Sequence, residues 1–307
     1  MKRRETVEQW FKSLQDSICS ELEALDGGSQ FREDLWNRPS GGGGRTRVIT
    51  NGQLIEKGGV NFSAVHGPLP EKIQHSLKLP PSEFYGTGVS IVLHPENPWV
   101  PIIHMNVRYF ETSGKNPEDP STWWIGGGID LTPHYVSRED GKHIHSSLKT
   151  VCDNIDEQYY SRFKKWADDY FYLKHRDETR GVGGIFYDRL NDQSENKSFD
   201  ELWDFHQQVG EAFVPIYRHY AEKHRDKKPT EVAKNWQMVR RGRYVEFNLV
   251  WDKGTKFGLD TNGRTESILM SMPPQANWYY DQQPEEGTPE AETLKWLKKD
   301  IDWIGND

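Results

Sequence analysis

The chain reads as an α+β protein built on a largely antiparallel sheet, and three observations predict this. Stretches with apolar residues at steps of three and four alternate with segments of period two. Neighbouring period-two segments are joined by connections of hairpin length, and no parallel βαβ rhythm develops. No linker divides the 307 residues, so a single domain over 1–307 is expected.

Taken in order, Val7, Trp10, Phe11, Leu14, Ile18, Leu22 and Leu25 predict an amphipathic helix that Asp26-Gly27-Gly28 ends. The run Gly41–Arg45 reads as a mobile surface loop or as a backbone-amide cradle for an anion. Val89–His94 and Ile103–Tyr109 read as strands. In the second, Ile103, Met105, Val107 and Tyr109 point one way, so His104, Asn106 and Arg108 share the other face about 7 Å apart. The turn-rich His94–Pro101 connection makes these strands antiparallel neighbours and brings His94 towards His104.

Trp123–Asp130 sets three glycines before a carboxylate. It reads either as a bulged strand or as a surface cleared of side chains for a flat ligand, with Asp130 either capping the Thr132-Pro133 turn or serving the ligand. A helix is expected over about 144–172, and helical spacing returns from Phe199 to Tyr220 and from Leu294 to Ile304. Alternation predicts two more strands, Tyr244–Trp251 and Ser267–Met272.

Composition narrows the function. A net charge of -8 removes any general attraction to nucleic acid or anionic membrane. Two cysteines, Cys19 and Cys152, are too few for a disulfide framework and suit a reducing, cytoplasmic setting. The N-terminus has no continuous apolar stretch of signal type, and no window reaches the roughly 18 apolar residues of a spanning helix. With 12 Trp, 13 Tyr and 13 Phe, the interior should be aromatic-heavy. Arg240, Arg241 and Arg243 beside Trp236 read as a fragment of an RNA surface or, with Arg108 and Arg264, as forks for a ligand bearing several carboxylates. His94, His104, His145 and His175 invite a metal reading, weighed against structural hydrogen bonding and against proton donation by His104.

The blocks GGGGRTRV, GVNFSAVHG, HPENPWVPIIHMNVRYFE, WWIGGGIDLTP, YFYLKHRDETRGVGGIFYD, RRGRYVEFNLVWDKGTKFGL and GRTESILMSMPP run in one order along nearly the whole chain. Together they resemble the oxygen-dependent coproporphyrinogen III oxidase family, although Asn262 stands where many relatives have glycine. The resemblance implies a homodimer whose subunit is one large antiparallel sheet flanked on both faces by helices. It also implies oxidative decarboxylation of two propionates of coproporphyrinogen III by O2, without an organic cofactor. Two cysteines cannot ligate the cluster of the pathway's radical enzyme.

Carried over by position, the substrate contacts fall on Ser90, on Asn106, Val107 and Arg108, and on Asn262, Gly263 and Arg264. The resemblance further implies that His104 is the proton donor, that Arg108 and Asp130 are catalytic, and that His175 with the stretch from Tyr244 is tied to dimerisation. Manganese at His94, His104, His145 and His175 is described for some bacterial members, and others work without metal. On this reading Asp130 accepts hydrogen bonds from pyrrole N–H groups while Arg108 and Arg264 hold propionates. The other readings are a metal-dependent oxygenase on the four histidines and a tetrapyrrole or RNA carrier without catalysis.

Overall fold

The computed structural model describes residues 3–71, 74, 75, 78, 80–113, 122–260 and 263–305. Helix α1 (Arg3–Asp26) leads into a meander of β1 (Arg32–Asn37), β2 (Gly42–Thr50), β3 (Ile55–Pro68), β4 (Glu83–Pro95), β5 (Ile102–Ser113) and β6 (Thr122–Thr132). There follow α2 (Arg138–Asp153), α3 (Tyr159–Tyr170), a two-stranded ribbon of β7 (Tyr172–Leu173) and β8 (Glu178–Thr179), and then β9 (Gly183–Leu190). The C-terminal part holds α4 (Asp192–Glu195), α5 (Phe199–Glu211), α6 (Phe213–His224), α7 (Glu231–Glu246), a π-helical turn (Phe247–Trp251), α8 (Lys253–Asp260), α9 (Thr265–Leu269) and α10 (Pro289–Trp296). Seven strands form one antiparallel sheet in the order β1-β2-β3-β4-β5-β6-β9, as the alternating segments and hairpin-length connections predict.

Period-two alternation divides that sheet into two chemically different faces. On one, Val60, Val89, Ile91, Leu93, Ile103, Met105, Val107, Ile129, Leu131 and Ile185 build the main core with α1, α2, α3, α5 and α6. Aromatic residues supply much of it, with Phe11, Phe163, Phe205, Tyr187 and Tyr217 fully buried. The other face is covered by α7 and the segments after it: Tyr244 packs with Val92 and Ile102, and Asn61 donates to the Ser267 carbonyl.

Several expected elements differ, each for a local reason. The helix over 144–172 is two, because Asp156 closes a turn by accepting from the Gln158 amide. The 199–220 helix breaks at Ala212, since Pro215 has no N–H to give the preceding turn. Tyr244–Trp251 is helical, not extended: Tyr244, Phe247 and Asn248 are buried at helical spacing while Leu249 and Val250 are exposed. Ser267–Met272 is helix and turn, and the last helix stops at Trp296. Gly41 closes the β1–β2 turn, and Gly42–Arg45 lie in β2 rather than in a loop or an anion cradle. Gly42 enters β2 at φ 82°, and Gly44 lies so near the Trp36 ring that a Cβ would approach it to 2.3 Å.

Three core histidines give the fold a pH limit. His145 Nε2 bonds the Val182 carbonyl and its Nδ1 faces the Tyr160 hydroxyl, His206 pairs with the Tyr187 hydroxyl, and His134 with the Pro98 carbonyl. Burial drives His145 down to about 4, and His134 and His206 to about 3. All three stay neutral in the native state, whereas the unfolded chain takes up protons below about pH 6.5. Their stabilisation is therefore complete above that pH and is lost as pH falls towards 4 and then 3. At about 1.4 kcal/mol per pH unit per group, the three together remove on the order of 6 kcal/mol by pH 5. Urea midpoints at pH 7 and pH 5 should show that loss, and equal midpoints would contradict it.

Candidate active site

The face opposite the main core is laid out by strand register. One row runs Val92, His104, Asp130, Gly184 across β4, β5, β6 and β9; the next runs Asn61, Ser90, Asn106, Gly128 from β3 to β6; the third runs Gly88, Arg108, Gly126. His104, Asn106 and Arg108 thus share one face, as their spacing predicts. Glycines recur among them, so the floor is low between the polar groups. The β6–β9 register shifts between Ile125 and Gly127, so the Gly126–Gly128 strand is irregular as well as bare.

At one end stands a buried charge cluster. His104 Nδ1 lies 2.7 Å from Asp130 Oδ1, and Arg180 Nη2 reaches both Asp130 oxygens at 2.8 and 2.7 Å. Arg180 Nη1 donates to Asn248 Oδ1, and its guanidinium packs against the rings of Phe171, Tyr244 and Phe247. Close chain approach sets this up. A Cβ on Gly181 would sit 2.1 Å from the Leu131 carbonyl oxygen, so only glycine lets the backbone beside Arg180 pass so near β6. Burial alone would raise the Asp130 carboxyl, but Arg180 and then His104 outweigh it and hold it below the usual carboxylate range.

Exposure separates the roles within the cluster. The Asp130 side chain is 2% exposed and His104 21%, so a ligand on this face meets the imidazole. Asp130 does not cap the Thr132-Pro133 turn, and the pair can hold and move a proton at the ring.

Four residues along β5 from His104, Arg108 Nη1 bonds Asn106 Oδ1 at 2.8 Å and Nη2 bonds Asp188 Oδ1 at 2.7 Å. A Cβ on Gly126 would meet Asp188 Oδ1 at 2.6 Å and Arg108 Nη2 at 2.9 Å, so this glycine makes room for the pair. Across the sheet, Arg264 pairs with Asp34 and donates to Ser267 Oγ. Ser267 in turn contacts Thr46 and Asn61, and Asn61 is the register neighbour of Ser90. Arg108 and Arg264 therefore flank the Ser90–Asn106 row.

Other predicted residues lie elsewhere. Val107 is fully buried in the main core, so its side chain belongs to the opposite face. Gly263 donates to the Gly258 carbonyl between α8 and α9, and Asn262 lies outside the described residues. The four histidines do not converge. His94 is fixed to the Ser271 carbonyl, His145 has both nitrogens engaged in the core, and His175 binds Glu246 and receives the Trp251 N–H. Among the described residues no group of three or more His, Cys, Asp or Glu side chains could hold a metal, so the manganese set is not assembled as expected. Arg240 and Arg241 are buried and paired with Glu178 and Glu56, so with Trp236 they make no RNA surface.

Sequence reasoning missed Arg180 and Asp188. Arg180 stood as the one charge in the glycine-rich TRGVGG, and Asp188 shares the alternation that points Phe186 away from Ile185 and Tyr187.

Comparison with known proteins adds an independent line. A family model described as coproporphyrinogen III oxidase matches residues 6–303. Coproporphyrinogen-III oxidase 1, chloroplastic, of Arabidopsis thaliana is 49% identical over 310 residues, which cover 98% of this chain and 79% of that protein. The oxygen-dependent coproporphyrinogen-III oxidases, chloroplastic, of Glycine max and Nicotiana tabacum are 48% and 47% identical, again over 98% of this chain and 80% and 77% of theirs.

Proposed function

The chain belongs to the coproporphyrinogen III oxidase family, and from that premise we propose how its own residues divide the work. It is an oxygen-dependent oxidoreductase of haem biosynthesis that turns two propionates of coproporphyrinogen III into vinyl groups, with no organic cofactor. For each side chain, propionate, O2 and one proton become vinyl, CO2 and H2O2. The carboxylate leaves as CO2, the β-carbon loses one hydrogen, and O2 takes the two electrons released together with two protons. One proton per cycle must therefore come from outside the side chain.

The observation that carries the assignment of roles is the His104–Asp130–Arg180 cluster beside a glycine floor flanked by arginines. Electron-rich pyrroles react with O2 once their N–H is acidified, so the protein's task is to orient the ring, polarise it and move protons. His104 is the exposed member of its pair and the proton-transfer group. Asp130, sealed beneath it, sets the ring's orientation and tautomer, and Arg180 fixes Asp130. Arg108 and Arg264 take propionates, each releasing or sharing its present carboxylate partner, Asp188 or Asp34, when substrate arrives. Ser90 and Asn106 contact the ring between them. A pyrrole that has given up its N–H proton adds O2 at a ring carbon, the resulting peroxide takes the propionate β-hydrogen as a proton, and loss of CO2 expels hydroperoxide, which one further proton turns into H2O2 as the N–H is restored.

Aerobic incubation with coproporphyrinogen III, with an oxygen-free control, should give vinyl product only in air. Gly126→Val should push Arg108 and Asp188 apart and raise KM by 10-fold or more, for loss of a charge-assisted contact of about 1.5–3 kcal/mol. Gly86→Ala is the control: its Cβ would keep 3.6 Å from Phe110 and should leave KM unchanged.

We further propose that the chain is one domain and a homodimer. Leu249, Val250, Leu259, Trp278, Tyr279 and Tyr280 are exposed in the region that follows α7, a concentration of apolar surface suited to a second copy, and His175 binds Glu246 at the end of α7. Sedimentation should give twice the chain mass. No described helix is long and apolar enough to cross a membrane. Cys19 and Cys152 are free and buried, which supports a reducing compartment; a cytoplasmic place is proposed for this chain, although the three relatives are named chloroplastic. Fractionation of the source cells tests it.

A further inference from the structure

A second charged recess shares no residue with the site on the sheet. It is a cavity of about 210 Å³ lined by Arg176, Arg240, Arg243 and Lys298, by Asp177, Glu178 and Asp281, and by neutral groups that include Trp236, Gln282 and Gln283. Four cations and three carboxylates line it, and a fourth carboxylate, Glu246, pairs with Arg176 and Arg243.

The guanidinium groups are incompletely neutralised. Arg240 has a side chain only 2% exposed, gives Nη1 to Glu178 Oε1 at 2.9 Å, and leaves its buried Nε without a partner. Arg243 sits 4.0 Å from the same Glu178 oxygen and shares Glu246 with Arg176 and His175. Three arginines thus divide two carboxylates, and one of those also holds a histidine. Burial, followed by repulsion from Arg176 and Arg240, lowers the Arg243 pKa despite the attraction of Glu246. An anion in the cavity would relieve that repulsion and partner the idle donors.

We propose that this recess binds a small anion of at least two negative charges through carboxylate or phosphoryl oxygens. Size limits the ligand: the cavity is smaller than the roughly 300–1,000 Å³ of sites for drug-sized molecules, which excludes a tetrapyrrole and suits orthophosphate or a four-carbon dicarboxylate. Arginine forks match both oxygen geometries, and the Gln282 and Gln283 amides add neutral donors at the rim.

The test is calorimetric titration of the full-length protein with inorganic phosphate and, separately, with succinate, at low ionic strength. Saturable one-to-one binding of phosphate, of succinate or of both supports the site, and the probe that binds identifies the oxygen chemistry. Arg243→Gln should weaken that binding by 10-fold or more. Lys298→Gln, a partly exposed position, should weaken it several-fold and serves if Arg243→Gln does not fold. Arg108→Gln, on the sheet site, should bind as the unaltered protein does. Absence of saturable heat with both probes overturns the proposal, and so does binding that folded Arg243→Gln or Lys298→Gln leaves unchanged, or that Arg108→Gln abolishes.

Discussion

Asp130→Asn should lower kcat by about 10²–10⁴-fold while KM changes by less than about threefold. The asparagine keeps the shape but replaces the carboxylate that fixes the His104 ring at 2.7 Å, and it allows the ring to turn to the wrong tautomer. Substrate affinity should hold because Asp130 lies beneath His104, with both oxygens taken by His104 and Arg180. Steady-state kinetics on protein with a native circular dichroism spectrum decides the matter. A KM that rises as kcat holds would make Asp130 a binding group, and a near-normal kcat would remove it from the reaction.

Arg180→Ala is the counterpart, expected to act first on stability. It leaves the Asp130 carboxylate, its side chain 2% exposed, without its principal partner, a loss of about 3–5 kcal/mol in buried pairs. Arg180→Lys should recover little, since an ammonium cannot reach both Asp130 oxygens and Asn248 together. The double variant Arg180→Met with Asp130→Asn carries no unpaired charge, so it should regain most of the stability but none of the turnover. Denaturant unfolding with parallel kinetics separates these effects. Equal instability of the single and double variants would show that Arg180 matters for packing against Phe171, Tyr244 and Phe247 rather than for charge.

How much of this was legible beforehand depended on where the determining interaction lay. Strand alternation is local, so the shared face of His104, Asn106 and Arg108 could be read from β5 alone, and the hairpin connection gave its antiparallel neighbour β4. Asp130 was reachable because its glycine run is unusual in a strand. Arg180 was not, because its role comes from a chain crossing at Gly181 that brings residues 50 apart in sequence into contact. Long-range pairing likewise decided the histidines: nothing near His145 or His94 in sequence announces the Val182 and Ser271 carbonyls that hold them. The Tyr244–Trp251 stretch was misread because period-two and helical spacing both fit so short an apolar segment, and packing of Tyr244 and Phe247 chose the helix.

The most direct test of the account is a crystal structure of the protein with coproporphyrin III, the oxidised form of the substrate, bound. The macrocycle should lie on the sheet face between Ser90 and Asn106, with carboxylates on Arg108 and Arg264 and a pyrrole edge at His104. A macrocycle bound elsewhere on the protein, with Arg108 still paired to Asp188 and Arg264 to Asp34, would contradict it.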